Sequence, residues 1–408
     1  MKHVIIGAGA AGITAAKTIR SLRPTDEIVL VSAEEQVASR VMLYKYISGE
    51  REAETLSFVP GDFFESNRVT WKKETRVTKV AADEKKVYCG EEAVTYDQLL
   101  ITTGAKSTIP PVGALRTAKN VFGLRDLADA KAIREAAIAC EKVVIVGAGL
   151  VGMAAAYALM ELKKDVTVVE MGAEMLALNL DGQGASAYRT RFEEAGCKFH
   201  FNTAVEDTAV DHEGAVRFVT LGDGTILPCD FLVVATGARP AIEFLENSGI
   251  ACGNGITVDK YMRTNFPDIY AAGDVTGLSG IWPNAMRQGE VAAKNMCQEV
   301  TVYEDTFAVK NTIHFFDLVT LTIGPTKEEP GDRVEVFADR KGYQKLIIRD
   351  GRIVGLILQG DISNSGFWQY LIKHDIRVDN LDKPIWKVSF ADFITINEEG
   401  EYRWPQAV

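Results

Sequence analysis

Residues 143–170 read VVIVGAGLVGMAAAYALMELKKDVTVVE, and the fold follows from them. An apolar strand, Val143–Val146, runs into a turn carrying Gly147, Gly149 and Gly152 and then into an alanine-rich helix. A second strand, Val166–Val169, ends on an acid, Glu170. This is the pattern of a dinucleotide-binding β-α-β unit. The first glycine permits the tight turn, the second lets backbone approach a pyrophosphate, and the third lets helix and strand pack closely. The helix start offers unpaired N–H groups and the positive end of its dipole to phosphate. A carboxylate at Glu170 suits the two hydroxyls of an adenosine ribose and repels a 2′-phosphate. The next residues, Met171, Gly172, Ala173 and Glu174, supply no cation to compensate, so NAD(H) is expected over NADP(H).

The chain opens with a second copy of the pattern. His3–Ile6 reads as a strand, Gly7, Ala8, Gly9, Ala10, Ala11 and Gly12 as the turn, and a helix follows; the strand Ile28–Val31 then leads to Glu34. Two such units imply two bound dinucleotides, and the natural pair is a flavin dinucleotide with a nicotinamide dinucleotide. The fold class is therefore α/β with two Rossmann-like domains.

A length of 408 residues allows two or three domains. The first strand starts almost at Met1, so no signal or transit peptide is expected, and no apolar run reaches the ~18 residues of a membrane span. Cysteines 89, 140, 197, 229, 252 and 297 are scattered, which reads as buried free thiols in a reducing cytoplasm. The net charge of −11 argues against nucleic acid and anionic membrane surfaces as partners. Histidines 3, 200, 212, 314 and 374 show no metal-ligand spacing.

Taken in order, residues 1–112 and 238–308 read as a discontinuous flavin domain, 113–237 as the nicotinamide domain, and 309–408 as an α+β module with an aromatic tail. Val69–Val80 reads as one alternating strand, followed by Lys85–Cys89. A buried strand ends at Thr103 and Gly104, and the strand Phe231–Ala235 ends at Thr236 and Gly237, an internal echo. Pro110, Pro111, Arg239 and Pro240 mark the crossings between domains. Asp126–Cys140 reads as an amphipathic helix, and Asn284–Gln298 as another. Strands Tyr343–Arg349 and Ile353–Leu358 flank the turn Asp350–Gly351.

These motifs, with the run Ile269–Asp274, resemble the two-dinucleotide-binding-domain flavoproteins of the pyridine nucleotide–disulfide oxidoreductase superfamily, along essentially the whole chain. Within it the chain is most similar to NADH:rubredoxin and ferredoxin reductases and to the flavoprotein part of NADH nitrite reductases. Trp282, Asn284, Ala285, Gln288 and Gly289 match a segment beside the flavin. Ser39, Arg40, Leu43, Lys45 and Gly49 match the segment that covers it.

The resemblance implies roles. Gly7, Gly9, Ala10, Ala11 and Gly12 hold the FAD pyrophosphate, and Glu34 its ribose. Asp274, after Gly273, binds the ribityl chain; Val77 meets the adenine through backbone. Arg40, Thr103, Gly104, Gly237, Trp282 and Ala285 belong to the cofactor sites. Gly149, Leu150, Val151 and Glu170 hold NADH. Lys45 reaches the flavin near N5 and is the expected catalytic cation. Two departures stand out. Val41 lies near the position of the redox cysteine of disulfide reductases, and the first cysteine is Cys89, so no thiol relay is expected. Ala154 stands where relatives place a glutamate that pairs with the lysine, which leaves Lys45 either unpaired or partnered elsewhere.

The implied activity is hydride transfer between NAD(H) and FAD, then electron exchange with an iron–sulfur protein. The chain would act as the flavin subunit of a larger complex, such as an aldehyde or 2-oxoacid oxidoreductase, or as a free rubredoxin or ferredoxin reductase. NADH oxidase and flavoprotein sensor are the other readings. In the tail, Trp386, Phe390, Phe393, Tyr402 and Trp404 are of the types that anchor interfaces, and docking of the partner there is expected.

Overall fold

The computed structural model describes residues 1–304, 310–340, 342–379 and 381–403. They fall into two compact units: Met1–Gly147, Ala158–Val166 and Val205–Asp305 in one, Ala148–Tyr157, Thr167–Ala204 and Thr306–Val408 in the other. The expected boundary at 308/309 lies outside the described residues. No helix of the described residues is long and apolar enough to cross a membrane.

The first unit is built on five strands in the order Ile269–Ala271, Gln98–Ile101, Lys2–Ile6, Glu27–Val31, Val69–Lys72. Every pairing is parallel. Unbroken apolar runs form these strands because both faces are covered. Ile5, Leu30 and Leu100 join Ala15, Ile19, Val291 and Ala292 in one apolar cluster. Their neighbours Val4, Ile6, Val29, Leu99 and Ile101 join Val80, Val87 and Ile256 in another, the alternation a strand imposes. The helices Ala10–Leu22 and Trp282–Met296 pack on the first face. They touch at Gly289, where a Cβ would sit 2.2 Å from the Ala11 carbonyl oxygen. The order of the sheet reverses between Lys2–Ile6 and Gln98–Ile101, and a ligand crevice is expected beyond the carboxyl ends of strands at such a point.

Elsewhere in this unit Lys142–Val146 pairs in parallel with Phe231–Val234, which pairs with Val121–Phe122. The helix Leu127–Ala139 is capped reciprocally by Asp126 and Asp129. The two Thr–Gly turns of the internal echo interlock. Ala105–Ser107 pairs antiparallel with Ala238–Pro240. The Thr103 hydroxyl donates to the Ala241 carbonyl at 2.9 Å and the Thr236 hydroxyl to that of Thr108 at 2.7 Å.

The stretch Val69–Val80 is not one strand. Val69–Lys72 and Lys79–Ala81 belong to different sheets. Between them Glu74 takes a φ of 51°. The Glu74 and Thr75 N–H groups donate to Glu34 and Ser32 carbonyls at 3.1 and 2.8 Å. Those bonds draw the segment toward the end of the second strand instead of continuing a ladder.

In the second unit Thr167–Val169, the last three residues of the strand Asp165–Val169, pair in parallel with Lys198–His200. Its antiparallel sheet has the order Lys310–Phe315, Leu318–Ile323, Arg352–Gln359, Gly342–Arg349, Arg333–Asp339. The helix Ser365–Lys373 covers one face, with Phe367, Trp368 and Leu371 against Leu346, Leu356 and Leu358. The aromatic tail closes this core. Trp386 meets Trp368 at 5.7 Å between ring centroids, and Phe390 and Phe393 meet Phe367 at 5.0 and 5.9 Å. Trp386, Phe390 and Phe393 are half-buried in this packing, so they serve the module's own core while each ring stays partly exposed. Trp404 and the side chain of Tyr402 lie outside the described residues.

Candidate functional site

At the carboxyl end of Lys2–Ile6 the chain turns at Gly7, φ 110°, where a Cβ would lie 2.4 Å from the Thr102 carbonyl oxygen. At Gly12 a Cβ would lie 2.0 Å from the Gly7 oxygen and 2.7 Å from Thr102 Oγ1. These two glycines are packing requirements. Gly9 differs: nothing lies within 4 Å of an added Cβ. Gly9 caps the helix Ala10–Leu22 without a side-chain bond, and the first turn holds no acid. Ala10 and Ala11 therefore present main-chain N–H groups and a positive dipole end to open space, a site that selects for an anion.

Beside this turn lies a cleft of about 970 Å³ whose walls include Gly7, Glu34, Arg40, Val77, Thr103 and Arg125. The Glu34 carboxylate accepts from Arg40 Nη2 at 3.1 Å. Val77 reaches the wall because the 73–78 segment leaves the sheet. Gly104, φ 69°, lies against the Arg40 guanidinium, 3.5 Å from the position of a Cβ. Gly273, φ 82°, brings two other expected residues together, since its Cβ would meet Ala11 at 3.3 Å and Ala285 at 3.5 Å. Fully buried Gln288 fixes that turn by accepting from the Gly273 N–H at 2.7 Å. Trp282 begins its helix and packs edge-on against Phe58, with centroids 4.8 Å apart.

Sequence reasoning missed Arg125. Its guanidinium pairs with the Asp274 carboxylate and donates through Nε to the Ala105 carbonyl at 3.1 Å. Its main-chain N–H donates to Asp129 Oδ2 at 2.7 Å. Burial pushes the Arg125 guanidinium down from its ordinary value and neighbouring Arg40 adds to this, with Asp274 opposing both. Burial likewise raises the Asp129 carboxyl. The available signal was a cation next to the capping acids Asp126 and Asp129, since a residue just outside a capped helix is held in place.

Lys45 does not line the cleft. Its ammonium lies 2.6 Å from Glu50 Oε1, so the charge is partnered by a residue five positions on. Gly49 takes a left-handed φ of 79° to bring that carboxylate back.

Residues 147–172 repeat the arrangement of a glycine turn before a helix start. Nothing lies within 4 Å of a Cβ at Gly149, and the helix Leu150–Glu161 begins immediately after it with no acid in its first turn. Val151, in that turn, is exposed. Glu170 Oε2 accepts from the Ala148 N–H and Oε1 from the Gly172 N–H, both at 2.7 Å. Gly237 takes a φ of 107° with open space at its Cβ position.

No cysteine of the described residues lines the cleft. All six thiols are free, but only Cys197, Cys229 and Cys297 are buried; Cys252 is exposed. The expectation of uniformly buried thiols fails because Cys252 follows the irregular segment after Ile250, outside any regular strand. Burial pushes the Cys229 thiol up to about 12 and that of Cys297 to about 11, far from thiolate chemistry.

The chain is similar along most of its length to known proteins. The family model described as pyridine nucleotide-disulphide oxidoreductase matches residues 1–289, and that of the rubredoxin NAD+ reductase C-terminal domain matches 310–376. The NADH-dependent phenylglyoxylate dehydrogenase subunit epsilon of Aromatoleum evansii is 32% identical over 386 residues, spanning 91% of each chain. An NADH oxidase of Methanocaldococcus jannaschii is 33% identical over 317 residues, 72% of this chain and 70% of the relative. Among solved structures, the covalent putidaredoxin reductase–putidaredoxin complex matches with a TM-score of 0.82 and 25% identity over 91% of this chain and 93% of the other.

Proposed function

The chain belongs to the pyridine nucleotide-disulphide oxidoreductase family, and on that premise we propose that this FAD- and NADH-dependent oxidoreductase delivers its electrons to an iron–sulfur protein. The observation that carries the proposal is the pair of glycine turns. Each leaves one glycine open toward a helix start, at Gly9 and at Gly149, and each is followed by an acid, Glu34 or Glu170, that we assign to a ribose.

The residues divide the work. Gly9, Ala10 and Ala11 take the FAD pyrophosphate on main-chain N–H groups, with Glu34 toward its ribose and Val77 toward its adenine. Arg125 holds the Asp274 carboxylate, which meets the ribityl chain. Gly149, Leu150 and Val151 serve the nicotinamide dinucleotide in the same way. Glu170 spends one lone pair of each oxygen on backbone and keeps the others for ribose hydroxyls. When bound, the flavin accepts a hydride and returns the electrons singly, which joins a two-electron donor to one-electron carriers. Lys45, paired with Glu50 outside the cleft walls described above, is the cation we propose approaches the reduced flavin. Among the described residues the cleft is lined by no thiol, which favours an acceptor that approaches the flavin itself.

The division into 1–112 with 238–308, 113–237, and 309–408 belongs to this proposal. The pairing of Ala105–Ser107 with Ala238–Pro240 supports it, because the chain leaves and re-enters there. The subunit form is favoured over a free reductase by a relative that is a dehydrogenase subunit matched over 91% of both chains. An NADH oxidase relative supports the competing reading. The two separate in one anaerobic and aerobic comparison. With NADH, the protein should reduce a small iron–sulfur carrier, rubredoxin or ferredoxin, faster than it consumes oxygen. Faster delivery to oxygen than to either carrier replaces this reading with the oxidase.

A further inference from the structure

Between Glu35 and Glu52 the chain leaves the first sheet, forms the short helix Leu43–Ile47, and returns. This excursion lies on the helix Leu127–Ala139 and is tied to it by charge at both ends. Glu35 pairs with Lys131, and Glu52 pairs with Arg134 at 3.5 Å. Lys131 and Arg134 are three residues apart, so they share one helix face. Between the two ties, the Arg134 guanidinium lies over the Tyr46 ring, 4.8 Å from its centroid. Gly49 also approaches Arg134, whose Nη2 is 3.6 Å from the position of its Cβ. One of the ties stands at the cleft: Glu35 and Lys131 both line it, from segments 96 residues apart in the chain.

We propose that residues 35–52 form a strap held shut by charge, with Lys131 and Arg134 as the positioning residues that govern how fast the dinucleotide in the cleft is released and reloaded. The inference rests on the reading of the cleft as the FAD site. It follows from the bridging pair, which joins two separate segments of the cleft wall and must part before those segments can move away from each other. The ties are partly exposed, with side chains 38% and 49% accessible at Lys131 and Glu35. Such pairs are individually weak and screened by salt, which suits a strap that must open.

The test is the rate at which holoenzyme releases FAD on dilution, read from the recovery of flavin fluorescence, at low ionic strength and at about 0.5 M salt. Wild-type release should accelerate with salt. The double variant Lys131→Gln, Arg134→Gln should release FAD about threefold faster or more at low salt, and salt should change its rate little. The exchanged pair Glu35→Lys, Lys131→Glu should release more slowly than Lys131→Glu alone. A wild-type rate independent of salt overturns the strap without needing any variant to fold. So does an exchanged pair no slower than the single variant. A protein that binds no FAD at all overturns the reading of the cleft as well, whereas bound FAD with salt-independent release overturns the strap only.

Discussion

The Arg125 guanidinium and the Asp274 carboxylate, 149 residues apart in the chain, form an ion pair at the cleft. Neither side chain is free to take up its position alone. Arg125 is also held by the Ala105 carbonyl, and Asp274 begins a 3-10 turn after the left-handed Gly273. Arg125→Ala leaves the carboxylate unpaired where a ribityl hydroxyl must approach. FAD affinity should fall by about tenfold or more, ~1.4 kcal/mol. Arg125→Lys should recover only part of it, because a lysine cannot reach the carbonyl and the carboxylate together. Titration of apoprotein with FAD measures both.

The first turn makes two glycines separable. Gly9→Ala has open space and an ordinary φ of −80°. The apoprotein should melt close to wild type yet bind FAD poorly, because the methyl group occupies the pyrophosphate position. Gly12→Ala places a Cβ 2.0 Å from the Gly7 oxygen. It should lower the melting temperature of the apoprotein as well, with ~1–3 kcal/mol lost to overpacking. Melting curves of apoprotein alongside FAD titrations distinguish the two. Equal loss of stability in both variants contradicts the assignment.

Acid stability has a named source in His3. The imidazole is fully buried and bonded to Asp26 at 2.9 Å. Burial pushes its pKa below the ordinary 6.5, with Asp26 opposing. The Asp26 carboxyl, which burial alone would raise, is held below its ordinary range by hydrogen bonds from His3 and the amino terminus. For both groups the unfolded chain binds protons more readily than the folded one. Stability is therefore present above the unfolded pKa and lost as pH falls, from about 6.5 downward for the histidine. Denaturant melts between pH 8 and 5 should show this loss, and His3→Gln should flatten it in the upper part of that range.

The tail belongs to the core it covers. Truncation after Leu381 removes Trp386, Phe390 and Phe393 from the aromatic cluster around Phe367 and Trp368. Each of these half-buried rings contributes ~1–2 kcal/mol through the apolar area it covers. The C-terminal module should melt early and become sensitive to protease, while FAD binding, which uses residues before 300, persists. A truncated protein that keeps wild-type melting and loses only transfer to an iron–sulfur carrier would restore the tail as a docking element.

Much of this was legible in the chain itself. Glycine turns, flanking strands and terminal acids have local causes, so Gly7, Gly9, Gly12, Glu34, Gly149 and Glu170 could be placed from spacing. What stayed hidden depended on distant partners. Arg125 gains its meaning from Asp274, and Glu34 from Arg40. The two Thr–Gly turns read as an echo, but their hydrogen bonds to each other's strands appear only in space. Val69–Val80 alternates like a strand throughout, yet backbone bonds to Ser32 and Glu34 pull its middle away. The tail carries interface-like residues, and the packing of Trp386, Phe390 and Phe393 on Phe367 and Trp368 appears only in space.

The proposed chemistry is a hydride passing between two bound dinucleotides, with Glu170 selecting the donor. Anaerobic stopped-flow reduction of the FAD-loaded protein tests it most directly. One equivalent of NADH should bleach the flavin, and NADPH should do so with at least about tenfold lower efficiency, a difference of ~1.4 kcal/mol. Glu170→Ala should narrow that gap. Flavin that NADH leaves oxidised, or that NADH and NADPH reduce equally well in the wild type, would contradict the account.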